Sequence, residues 1–250
     1  MTWPSARLIE PLDMAQGNVV KQIFSGIASR YDLANRVLSF GLCVLWRNRL
    51  IANVAKLNPK EVVDLATGSG DVAIAMADSL TPTTKITGYD FCEPMLDIAR
   101  IRVARENKSV KFATGDCMNL PIADASCEAI TIAYGVRNFE NRERGLKELA
   151  RITQKNGSVF ILEFSQPSKL FWPIHFLHVR IVSPILAGIL TGDFGAYRYL
   201  GSSIADFPNA DGLVIELKNA GFNEVDYELF LCGTVALHRA KKWFIKNSLP

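Results

Sequence analysis

Asp64, Asp90 and Asp116 each close a short run rich in β-branched and aromatic residues: Val62-Val63, Ile86-Thr87-Gly88-Tyr89 and Val110 to Gly115. Thr67-Gly68-Ser69-Gly70-Asp71 follows the first run, and Val72-Ala73-Ile74-Ala75-Met76-Ala77 then has the apolar spacing of a helix. Strand, glycine turn and helix form the first unit of a nucleotide- or cofactor-binding α/β sheet. Glycine serves where the backbone takes a positive φ or a ligand comes close, which singles out Gly68 and Gly70. Asp90 lies twenty residues past Gly70, where a ribose-binding acid belongs. A carboxylate there accepts two hydroxyl hydrogen bonds at once. Asp116 is set to accept from an adenine amino group or a bound water.

The spacing of Gly68, Gly70 and Ala73 also fits a dinucleotide fingerprint. Charge argues for another ligand. A pyrophosphate rests on the first-turn N–H groups of the helix, and Asp71 would bring a negative charge close to it. Asp64 adds a second. Two carboxylates suit a cationic ligand, and S-adenosylmethionine carries an ammonium and a sulfonium but no phosphate. An NAD-dependent dehydrogenase is the competing enzyme class. A non-catalytic quinone- or lipid-binding protein is the other, and it has no evident use for three strand-end acids.

Bulk properties narrow the classes further. The chain has 250 residues and a formal net charge of +3, spread without a basic stripe, which disfavours nucleic acid. Its five cysteines are scattered, without a Cys-x-x-Cys pair, so neither a disulfide framework nor a zinc site is expected, and no metal constellation is visible. The first residues, Met1 to Arg7, lack an apolar signal core, so a cytoplasmic, reducing location is expected.

The elements that must position these residues read as follows. Helical spacing runs from Val19 to Ile27 and again from Val44 to about Leu57. Strands are expected at Val62, Lys85–Asp90, Val110–Asp116, Ala129–Tyr134 and Ser158–Phe164, and a closing hairpin at Glu224–Leu231 and Thr234–Arg239. Asn141 is a helix cap and Gly221 a helix stop. Between them, Lys169 to about Tyr199 is strongly apolar. The expected fold is α/β: a mostly parallel seven-stranded sheet with helices on both faces and an antiparallel edge strand, the class I S-adenosylmethionine-dependent methyltransferase arrangement. N-terminal helices (1–58) would contribute to the substrate site. The cofactor domain would be 59–250, with an apolar helical insertion at about 166–200.

Several stretches together resemble the ubiquinone/menaquinone biosynthesis C-methyltransferases. They are Ile27 to Asn35, Leu38-Ser39-Phe40-Gly41, Trp46-Arg47, Asp64 to Asp71, Tyr134-Gly135-Val136-Arg137-Asn138, Leu162-Glu163-Phe164-Ser165, Tyr197-Arg198-Tyr199-Leu200 and Val235 to Arg239. The resemblance spans Phe24 to Arg239 and implies methyl transfer from S-adenosylmethionine to a ring carbon of a prenylated quinol. The acceptor would be demethylmenaquinol or, alternatively, a polyprenyl methoxybenzoquinol of ubiquinone synthesis. It places the family's cofactor positions on Ser69, Asp90, Asp116 and Cys117. Two departures stand out: Ala133 replaces a serine found in some members, and Thr153-Gln154-Lys155-Asn156-Gly157 replaces the usual Pro-Gly-Gly turn.

The chemistry needs an ionised quinol hydroxyl beside the reacting carbon, because a quinone is itself electrophilic. It therefore needs a base or a cationic stabiliser. Asp32 is the candidate base, Arg137 the phenolate stabiliser and Tyr31 the ring-orienting group. His175 and His178, three apart on a helical face, are the reserve base. Phe171 to Leu190 is broken by Pro173, Arg180 and Pro184, so it should line a prenyl tunnel, lie on a membrane surface or pack as an added layer rather than span a bilayer. Peripheral membrane contact and homo-oligomerisation stay open at this stage.

Overall fold

The computed structural model describes residues 31–182, 185 and 194–243. Five parallel strands, β1 (Glu61–Leu65), β2 (Lys85–Asp90), β3 (Lys111–Thr114), β4 (Cys127–Ala133) and β5 (Thr153–Phe164), are followed by the hairpin of β6 (Glu224–Phe230) and β7 (Val235–Lys241). The sheet order is β3-β2-β1-β4-β5-β7-β6, and β7 runs antiparallel to both neighbours. The single reversed strand thus lies toward that edge, between β5 and the marginal β6. The chain moves outward from β1 through β2 to β3, then returns to the other side of β1 with β4. That reversal opens a crevice at the carboxyl ends of β1 and β4, where open α/β sheets bind ligands.

Strand alternation sorts side chains onto two faces. Val63, Leu65, Ile130, Ile132, Val159 and Ile161 face one way, against α5 (Arg142–Ile152) and α8 (Ala210–Ala220) through Leu149, Leu213 and Leu217. Val62, Ala129, Phe160 and Leu162 face the other, against α2 (Leu42–Ala55) and α3 (Asp71–Ser79) through Leu50, Val54 and Met76. The helix signals act as read. The Asn141 side chain accepts from the Arg144 N–H at 2.9 Å, and Gly221 ends α8 at φ 113°. Pro94 sits in the first turn of α4 (Glu93–Glu106). β5 begins at Thr153, before the expected Ser158, because Thr153 already pairs with Cys127 ahead of a register shift.

Outside the sheet, α1 (Tyr31–Leu38) joins α2 through a tight corner with Phe40 at φ 50° and Gly41 at φ 79°. The insertion holds α6 (Trp172–Leu177), a π-helical turn (His178–Val182) and α7 (Phe194–Ala205). It meets the α1–α2 corner, since His178 Nε2 lies 3.1 Å from the Leu38 carbonyl and its ring 5.9 Å from that of Phe40. The helical reading of Val19–Ile27 falls outside the described residues. Among the described residues, no helix is long and apolar enough to cross a membrane.

Candidate active site

A cavity of about 660 Å³ lies at the carboxyl ends of β1, β2 and β4. All seven residues expected to bind cofactor are at this end of the sheet. Asp64, Gly68, Ser69, Asp90, Asp116 and Cys117 line the cavity, and Gly70 closes the turn between Ser69 and Asp71, which also line it. Asn35 and Arg36 of α1 and Cys43 and Arg47 of α2 form its other wall. A larger groove of about 960 Å³ runs between Met118–Ala123 and α5, away from the glycine turn. Its Lys147 and Arg151 are tied up in ion pairs with Glu143, Glu148 and Asp124.

The turn is built around two acids. Thr67 Oγ1 donates to Asp64 at 2.6 Å and Thr131 Oγ1 at 2.5 Å, so the buried carboxyl is held from β1's own turn and from β4. Burial raises its pKa to about 7, the two hydroxyls offsetting part of the desolvation. Asp90 accepts from the Gly68 N–H and the Cys92 N–H, both at 2.8 Å. Burial raises its pKa too, and those backbone bonds pull against it. Each Asp90 oxygen keeps a further lone pair, so one side chain both pins the glycine turn and offers acceptors for a diol. Gly68 and Gly70 have φ 55° and 79°, and a Cβ on Gly70 would come within 2.8 Å of the Phe112 ring. The two glycines therefore meet both requirements, left-handed backbone and close approach.

Asp116 lies just past β3, where its carboxylate accepts from the Met118 N–H at 2.9 Å. Cys117 beside it is a buried thiol whose pKa desolvation pushes well up, so it acts as a neutral lining group. Ala133 also lines the cavity and supplies no hydroxyl. This set offers the groups that an adenosine would need, diol acceptors on Asp90 and an acceptor at Asp116, and an acid at Asp64 that could hold an ammonium. Asp71 is not the lone negative charge that its place after Gly70 suggests. Its carboxylate is 2.5 Å from Arg47 Nη1 and 3.5 Å from Arg102 Nη2, so it is no uncompensated negative charge and does not by itself repel phosphate.

The expected catalytic residues fare differently. Arg137, expected to face a phenolate, is instead buried in a short 3₁₀ turn (Val136–Asn138) behind the cavity wall. Its Nη1 lies 2.7 Å from Glu163 Oε1 and donates to the Tyr134 carbonyl at 2.5 Å. The guanidinium also sits 5.1 Å from the Phe164 ring and 5.9 Å from the Tyr134 ring. The physical reason is Glu163: a fully buried charge inside β5 must be paired, and Arg137 pairs it. Tyr134, which lines the cavity at φ 57°, is held in that left-handed conformation by these contacts. Tyr31 and Asp32 occupy the helical turn before Asn35 and Arg36, and their side chains fall outside the described residues. His175 is buried and its pKa is pushed down to about 4, by burial and then by the neighbouring His178. No cluster that could hold a metal ion occurs among the described residues.

Glu163, Arg47 and Tyr134 stand in the family-resembling stretches, but the sequence assigned none of them a role in the site. Glu163 carried a signal, a charge inside the apolar run Val159 to Phe164. Arg47 and Tyr134 were marked only by the resemblance, because their roles depend on packing between distant segments.

A mostly parallel seven-stranded sheet with a reversed strand, an acid-braced glycine turn and strand-end acids at the switch point together define a class I S-adenosylmethionine-dependent methyltransferase. Solved structures share this fold at low identity. A possible histamine N-methyltransferase from Thermotoga maritima gives a TM-score of 0.63 at 20% identity, covering 89% of this chain and 99% of that one. The [4+2]-cyclase SpnF gives 0.65 at 16%, covering 92% and 96%. Residues 12–242 match the ubiE/COQ5 methyltransferase family, and the chain belongs to it. It is 41% identical to the demethylmenaquinone methyltransferase of Thermus thermophilus, over 86% of this chain and 98% of that protein. It is 34% identical to the ubiquinone/menaquinone biosynthesis C-methyltransferase UbiE of Geotalea daltonii, over 91% and 97%. Family and fold together give S-adenosylmethionine as the methyl donor.

Proposed function

We propose that this enzyme methylates a ring carbon of demethylmenaquinol, giving menaquinol. The 41% identity to demethylmenaquinone methyltransferase along almost all of that protein carries the reading. The cavity supports it, because it joins the cofactor turn to α1 and α2 and through them to the apolar insertion. Bound S-adenosylmethionine supplies an electrophilic methyl group. The acceptor must then present a carbon nucleophile. Loss of a quinol hydroxyl proton raises electron density on the adjacent ring carbon. A C–C bond forms as the C–S bond breaks, and the ring carbon then releases its own proton to restore aromaticity.

We assign the hydroxyl proton to Asp32 and the ring's orientation to Tyr31, one helical turn from the cavity-lining Asn35 and Arg36. Arg137 is a positioning residue in this account, fixing Tyr134 at the wall. Membrane contact belongs to the same reading. Phe40, Leu45, Leu177 and Ile181 are exposed around the corner where α1, α2 and the π-helical turn meet. An apolar edge there suits a substrate whose prenyl tail resides in lipid. The UbiE name of the Geotalea relative favours a second reading, methylation of the ubiquinone precursor by the same chemistry. Purified enzyme assayed with both prenylated quinols and a soluble catechol decides. The highest kcat/KM is expected on demethylmenaquinol, and activity confined to the catechol would overturn the assignment.

A further inference from the structure

We propose that Arg47 receives the α-carboxylate of the methyl donor, with Asp71 and Arg102 holding it in place. The donor's amino-acid end carries two charges of opposite sign, and a site that binds it needs a group for each. Asp64 answers for the ammonium. The strand-end acids cannot answer for the carboxylate, which requires a cation at the glycine turn.

Arg47 is in that position. It projects from α2 across the cavity to the first residue of α3, and both Arg47 and Asp71 line the cavity. Arg102, from α4, reaches the same spot and donates to the Ser69 carbonyl at 3.1 Å. Two guanidinium groups, from α2 and α4, therefore converge on the Asp71 carboxylate beside the turn. A second observation is independent of this convergence. Arg47 Nε is buried and has no hydrogen-bond partner among the described residues. A buried donor without an acceptor is costly, and such groups in native sites mark a missing ligand atom or water. Asp71 binds Nη1, so the Nε–Nη2 edge remains, the edge that grips a carboxylate through two parallel hydrogen bonds. The pair with Asp71 orients that edge and ties α2 to the cofactor turn. Donor binding would then also fix the α1–α2 wall of the acceptor side.

The inference rests on the methyl donor that the family gives and not on the quinol. The test is calorimetric titration of S-adenosylmethionine and of its decarboxylated form into the wild type and the Arg47→Met, Arg47→Lys and Arg102→Met variants, with melting curves alongside. The wild type should prefer the carboxylate-bearing ligand by about ten- to a hundred-fold, the range of a charge-assisted bond. Arg47→Met should bind both ligands equally, at the wild type's affinity for the decarboxylated one. Arg47→Lys keeps a charge opposite Asp71 and so protects the fold, and it should lose most of the preference because it lacks the planar fork. Equal binding of the two ligands by the wild type overturns the proposal. So does a full preference retained in Arg47→Lys, or a preference that vanishes only in Arg102→Met. Failure on every prenylated quinol with these affinities intact would sink the acceptor assignment and leave Arg47 standing.

Discussion

Two buried charges set the residue-scale behaviour. Asp64 titrates near pH 7 in the folded protein, far above the ordinary value of about 3.9. With the folded value raised, the protonated acid favours the folded, unliganded protein. That contribution is full below about pH 4 and is lost as pH rises through about 7. An arriving ammonium favours the ionised form, so S-adenosylmethionine should bind more tightly as pH rises through 7, releasing a proton. Calorimetry in buffers of different ionisation enthalpy measures that proton. Asp64→Asn should abolish both the release and the pH dependence, and an unchanged pH dependence in that variant would contradict the account. His175 works in the opposite direction: its lowered pKa supplies stability above about 6.5 that is lost as pH falls toward 4. Stability curves must therefore be compared between variants. Arg137 gives the second prediction. Arg137→Met strands Glu163 in the core, which should cost about 3–5 kcal/mol in a denaturant melt. S-adenosylmethionine affinity in the remaining folded fraction should change little. A stable Arg137→Met protein with kcat lost would restore Arg137 to the chemistry.

At the scale of elements, the corner between α1 and α2 and the π-helical turn beside it form the exposed apolar edge that we propose meets lipid. Phe40 stands 78% exposed at the tip of that corner. Phe40→Glu should reduce co-sedimentation with liposomes and raise KM for a long-chain quinol, while leaving KM for a short-chain one and the melting temperature near their original values. Equal KM changes for both chain lengths would show that Phe40 serves the cavity rather than the tail. Legibility in the sequence follows the same division into local and distant. The βα units, the cap at Asn141, the stop at Gly221 and the acids at Asp64 and Asp90 depend on neighbours a few residues away, and all were readable. The Arg137–Glu163 pair joins residues 26 apart in the chain, and Arg47–Asp71 joins residues 24 apart. A charge in an apolar run marks Glu163, but nothing local announces which residue each of these groups pairs with. The same limit explains why Asp71 read as an uncompensated charge: its counter-charge sits on a helix that precedes the sheet.

For the whole molecule, the fold supplies a cavity with the cofactor turn on one wall and helices α1 and α2 on the other. Methyl transfer to carbon requires a nucleophilic ring carbon, and that requirement is redox-dependent. Only the reduced acceptor can be a substrate, whatever its prenyl length. The direct measurement uses S-adenosylmethionine labelled with a trideuteriomethyl group, purified enzyme and demethylmenaquinone, with and without a chemical reductant, read by mass spectrometry of the extracted quinone. The label should appear on the ring carbon only in the reduced sample, with S-adenosylhomocysteine formed in equal amount. Label on a hydroxyl oxygen, or equal labelling of the oxidised and reduced acceptor, would contradict carbon methylation of a quinol.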